Sequence, residues 1–221
     1  MFPVYQYNGN HNSGCDYDRF VETFESICQE HRNSRRALLF AFILHDERNP
    51  YQVKILNDPD YWNALHKLSG NIITVFSLVR HEIHSTDTGT YGMNLMVKID
   101  FYGTIEDPFA TFKKRFKLAD DPKLPGIVFF QVHEKKVIDA VYVKLIAKST
   151  EAAYNEISQI IGLVTESVSE VKLANYRNSA VIFGLVRNVL SDRKVFRIAR
   201  GIFKRSFQIK EFLSPFHQIV G

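Results

Sequence analysis

The stretch Ala37-Leu38-Leu39-Phe40-Ala41-Phe42-Ile43-Leu44 decides how this chain is read. Its apolar residues run without a break and stop at His45-Asp46-Glu47. A short run bounded by charge has the pattern of a strand covered on both faces, the central strand of an α/β sheet. Open α/β sheets place functional loops where such strands end. His45, Asp46 and Glu47 are therefore the first candidates for a site.

Downstream of the run, Asn49-Pro50 breaks the strand and a helix begins near Tyr51. Asp58-Pro59 is a helix start, with Asp as the cap and Pro at the first position. Tyr61, Trp62, Leu65 and Leu68 carry that helix to Gly70, and a second buried strand follows over 72–79. Strand, crossover and strand form a βαβ unit, which is expected to be right-handed and parallel. Upstream, Asp16 or Asp18 caps a helix whose apolar stripe is Phe20, Val21, Phe24, Ile27 and Cys28. His31 and Arg32 lie near its end, where the helix dipole favours positive charge.

Residues 80–93 are polar and end in Thr88-Gly89-Thr90-Tyr91-Gly92, the composition of a loop or the tip of an excursion. A strand is expected over 94–101, and Asp107-Pro108 repeats the helix-start signal ahead of Phe109, Phe112 and Phe116. Strands over 127–132 and 137–146 make a hairpin through His133-Glu134-Lys135-Lys136. Ser149-Thr150 then opens a helix that runs into the 160s.

This order of elements resembles a thioredoxin-like fold over roughly residues 16–165, with Leu124-Pro125 just before the third strand of that pattern. The resemblance implies that Pro125 faces the functional loop at the end of the first buried strand, and that its peptide bond is of the cis kind usual there. Within that group, residues 38–73 look most like the UAS-type domain of UBX proteins. There, too, a strand ends in a His-containing loop and a short helix with an Asn/Asp-Pro start returns to a second strand. The implied fold class is α/β, a mixed central sheet flanked by helices. Residues 1–15 are read as a flexible N-terminal segment and 16–170 as the thioredoxin-like domain, with an insertion near 80–105. Residues 171–221 are read as a basic helical C-terminal extension.

The chain lacks the sulfur that redox thioredoxins use. No cysteine falls between His45 and Tyr51, and its two cysteines, Cys15 and Cys28, form no Cys-x-x-Cys pair. Two cysteines also build neither a disulfide framework nor a four-ligand zinc site. A reducing, cytoplasmic setting is the reading, with no secretory leader at Met1 and no apolar run long enough to cross a bilayer.

The 45–47 loop offers a histidine beside two carboxylates, the groups of general acid–base chemistry or of a metal site. Neighbours on an extended chain point apart, however, so a working site needs a second segment, such as His84 or His133. The catalytic candidates are accordingly His45, Asp46, Glu47 and Pro125, with a solvated loop as the alternative. His81 and His84, with Glu82 and Asp87, are weak metal candidates, because no third ligand stands at a diagnostic spacing. No cofactor is implied.

Charge is the other signal. The chain carries a formal +4, yet residues 172–211 hold ten basic residues against Asp192 and Glu211. Arg193, Arg197, Arg200 and Lys204 recur at i, i+4, i+7 and i+11, which predicts a basic amphipathic helix over 193–212. Phe203 and Phe207 lie toward its apolar side. Such a helix suits a protein partner or self-association first, and nucleic acid or an anionic membrane surface second. The sequence is thus read as a redox-inactive binding or adaptor protein, with an enzyme using the 45–47 loop as the runner-up.

Overall fold

The computed structural model describes residues 17–45, 49–70, 72–80, 96–101, 108–118, 125–171, 178–192, 199–201 and 206–215. Strand β1 (Leu39–Leu44) forms where expected, and each of its side chains is buried. It pairs in parallel with β2 (Thr74–Arg80) on one side and antiparallel with β4 (Gly126–His133) on the other. Strand β3 (Met96–Phe101) extends the sheet beyond β2 in parallel, and β5 (Lys136–Lys144) extends it beyond β4 in a hairpin. The order is therefore β3-β2-β1-β4-β5, a mixed sheet. Residues expected as part of an insertion near 80–105 supply its outer strand.

Local chemistry accounts for the helix starts. Helix α1 (Tyr17–Asn33) buries Phe20, Val21, Phe24, Ile27 and Cys28, as the spacing predicts. The Asn49 side chain caps α2 (Pro50–Asn57) by accepting from the amides of Tyr51 and Gln52 at 3.1 and 3.3 Å. Asp58 does the same for α3 (Pro59–Ser69), accepting from Asp60 and Tyr61 at 2.9 and 3.5 Å. Ser149 caps α5 (Thr150–Ser169) through the Ala152 amide, and Asn178 caps α6 (Ser179–Asp192) through that of Val181. Helix α4 (Pro108–Phe116) follows its predicted Pro start.

The sheet divides the core in two. One face carries Leu39, Ala41, Ile43, Val75, Phe129 and Val143 against α2, α3, α5 and α6. The other carries Phe40, Phe42, Phe76, Phe130 and Tyr142 against α1, α4 and the short α7 (Ile209–Leu213). That second face is built of aromatic rings: Phe42 stacks on Phe130 at 5.1 Å, and Phe130 meets Phe212 at 4.9 Å. Such ring pairs add to their burial an attraction of about 1 kcal/mol each.

His31 corrects one expectation. It does not complement the helix dipole as a cation, because it is fully buried. Its Nδ1 lies 2.7 Å from the Ala37 carbonyl and its Nε2 lies 2.7 Å from Thr74 Oγ1. Burial holds its pKa down at about 4, so the ring is neutral. With Nδ1–H donating to the carbonyl, Nε2 accepts from the threonine hydroxyl, and α1 is tied to the chain that leads into β1 and to the start of β2.

The chain beyond α6 departs furthest from expectation. In place of one helix over 193–212 there are β6 (Ala199–Gly201), β7 (Phe207–Gln208) and α7. Both strands pair antiparallel with β5, with Gly201 opposite Val141 and Phe207 opposite Val137. Two forces override the helical charge period. Gly201 weakens a helix interior, and the outer edge of β5 offers unpaired backbone groups that a strand satisfies.

Candidate functional site

The end of β1 is where two chain segments meet. Leu44 stands opposite Gly126, so the antiparallel register brings His45 opposite Pro125. Both are buried, His45 to 3% exposure, and this departs from the solvated loop that was the alternative reading of His45. Asp46, Glu47 and Leu124 lie outside the described residues, as do Cys15, His81 and His84. His133 is exposed at the far end of β4 from Gly126, roughly 20 Å away at strand spacing. It therefore does not join His45, which corrects that part of the enzyme reading.

Pro125 is held by its carbonyl. That oxygen accepts from the Leu145 amide at 2.9 Å and from the Tyr142 hydroxyl at 3.2 Å. The Tyr142 ring lies over Gly126 so closely that a Cβ there would sit 2.1 Å from the ring edge. Glycine is thus required for close approach rather than for an unusual φ. Burial pushes the Tyr142 phenol up, so it stays a neutral donor. Nothing in the sequence pairs Gly126 with Tyr142, because a hairpin register is needed to bring them together.

Buried polar residues also occur on the elements that surround this corner. Strand alternation puts His45 on the same sheet face as Ala41 and Ile43, and Ser77 on that of Val75. Gln52, one turn before the buried Ile55 and Leu56, is buried in α2, the helix packed on that face. Gln52 and Ser77 are almost completely buried, and among the described residues neither the Gln52 side-chain amide nor the Ser77 hydroxyl has a hydrogen-bond partner. Orphaned groups of this kind cost about 1–3 kcal/mol each, and the hydroxyls of Ser158 and Thr165 in α5 are further examples away from this corner.

Among the described residues the one cysteine is Cys28. Cys28 sits in α1 among the phenylalanines, and burial pushes its thiol up to about 12. A thiol so far above neutrality is no nucleophile. Among the described residues no group of three or more His, Cys, Asp or Glu side chains is placed to hold a metal ion. No helix among them is long and apolar enough to cross a membrane.

Arg200 lies in β6 opposite Tyr142. Arg193, Arg197, Phe203 and Lys204 lie outside the described residues. Phe207 is half-buried and meets the Phe116 ring edge-on at 5.7 Å, while Ile209 and Phe212 are core residues. The described apolar side chains of this segment are thus committed to the fold. Strand β7 also brings Lys210 beside the Lys135-Lys136 turn, where the Lys135 carbonyl accepts from the Ile209 amide at 3.0 Å. Only the Lys135-Lys136 doublet hinted at that grouping in the sequence.

No family model, curated protein or solved structure matches this chain.

Proposed function

We propose that this chain is a thioredoxin-like domain without thiol chemistry that serves as a binding or adaptor protein in a reducing compartment. The observation that carries the reading is the strand order β2-β1-β4-β5, with His45 rather than cysteine opposite Pro125. One parallel pair, one antiparallel pair and a hairpin around a buried central strand are the pattern such a fold requires. The resemblance of residues 38–73 to UAS-type domains points the same way. The basic C-terminal segment supplies the contact surface in this reading, with the loop that follows His45 as a second one.

Two measurements test it. The chain should show no disulfide reductase activity toward insulin, and turnover there would overturn the redox-inactive half. A triple charge reversal, Arg193→Glu, Arg197→Glu and Lys204→Glu, should melt like the parent yet lose the proteins that co-purify with it. An identical co-purifying set would remove the adaptor half.

The enzyme reading keeps one supporting observation, the buried polar group of His45, Gln52 and Ser77. Under it, a small molecule carried through purification would be released by denaturation from the parent and not from His45→Ala.

A further inference from the structure

Resting on the binding-module reading, we infer that the end of the sheet opposite His45 is a surface for the phosphate backbone of nucleic acid. Three chain segments bring cations together there. Arg32, in the last turn of α1, donates to the Glu134 carbonyl of the β4–β5 turn. Lys135 and Lys136 are exposed in that turn, and Lys136 pairs with Gln208, two residues before the exposed Lys210. The carboxylates of the same region are Glu25, Glu30, Glu134 and Glu211. Glu25 lies 3.4 Å from Lys135 and Glu30 lies 3.9 Å from Arg36, both within ion-pair reach. Exposed pairs of that kind hold by less than about 1 kcal/mol and yield readily to a denser anion.

The class of partner follows from what the surface lacks. A protein interface needs an apolar core, and a membrane-bound helix needs an apolar face to bury. Here Phe207, Ile209 and Phe212, the apolar residues beside Lys210, pack against Phe116 or into the core. Among the described residues the cations there stand beside no exposed apolar anchor, which suits a phosphate backbone, whose affinity comes from counterion release.

The test is fluorescence anisotropy with labelled duplex DNA and single-stranded RNA across a salt series. Four phosphate contacts, from Arg32, Lys135, Lys136 and Lys210, predict a log–log salt slope of about −3.6 on duplex, and about a hundredfold loss between about 50 and 200 mM. Lys135→Glu/Lys136→Glu/Lys210→Glu should remove about three-quarters of that slope. Because the reversed Lys135 would repel Glu25, the Gln triple variant is run beside it and should weaken binding in the same direction. Absence of binding at about 50 mM salt, unchanged affinity in the Gln variant, or equal affinity for polyglutamate or anionic vesicles would each overturn the inference. If nucleic acid fails while the C-terminal charge reversals still strip co-purifying proteins, only the partner class is wrong. If both fail, the binding-module reading falls with it.

Discussion

Replacing His31 by Gln should flatten the acid limb of the stability curve. The folded imidazole titrates at about 4 against 6.5 in the unfolded chain, because burial disfavours its charged form. Above pH 6.5 both states hold the ring neutral and its contribution is fully present. As pH falls below 6.5 the unfolded chain takes up a proton that the folded protein refuses. The unfolding free energy then drops by about 1.4 kcal/mol per pH unit, until the folded ring also protonates near 4. The whole excursion is worth roughly 3 kcal/mol. The Gln variant forfeits the well-placed bonds to Ala37 and Thr74, and should start about 1–3 kcal/mol less stable at pH 7.5. Its deficit should shrink toward pH 4. Urea unfolding of both proteins at half-unit steps gives the difference directly, and carboxylates common to both cancel. His66, whose pKa burial also lowers, cancels in the same way. Parallel pH curves for the two proteins, or an NMR titration of His31 centred near 6.5, would refute the reasoning.

Further outcomes follow from the same geometry. Gly126→Ala should cost about 3 kcal/mol or more, because its Cβ meets the buried Tyr142 ring at 2.1 Å. Adding Tyr142→Leu should recover part of that loss in urea melts, whereas a fully additive double variant would contradict the close approach. Lys117→Gly should gain about 1 kcal/mol, since Lys117 ends α4 in the left-handed region at φ 52, and an unchanged midpoint would argue against strain there. Cys28 should resist an aromatic disulfide reagent at pH 8 until the chain unfolds, and rapid native labelling at that position would show its burial is wrong.

Much of the scaffold was legible because its signals are local. Asn49-Pro50 and Asp58-Pro59 each join a capping side chain to a preset φ, and both open helices. The Phe20–Phe24–Ile27 stripe fixes its helix by period, and the eight-residue apolar run fixes its strand by its shortness and charged boundary. The helix ends were less readable. Arg35 and Lys117 occupy left-handed positions normally marked by glycine, so the stop signal is missing from the letters. The C-terminal misreading has another origin. Arg193, Arg197, Arg200 and Lys204 keep a helical interval, yet whether residues 199–208 coil or extend depends on a β5 edge more than fifty residues upstream. Gly201 was the local warning. The corner at His45 was half visible: a strand end and a proline could be foreseen, while the Tyr142–Gly126 contact and the orphaned groups of Gln52 and Ser77 arise from register and packing.

Strand β5 owes the cover on its outer side to strands β6 and β7. Any shortened version ending before Ala199 would lay bare the outward backbone of β5 at Lys136–Val137 and Val141–Val143, and would also withdraw Ile209, Phe212 and Leu213 from the aromatic face. Such a fragment would carry a template for sticking to its own copies. Those who trim the basic tail for solubility should expect precipitation, and point substitutions that leave the backbone whole are the safer way to probe its charge.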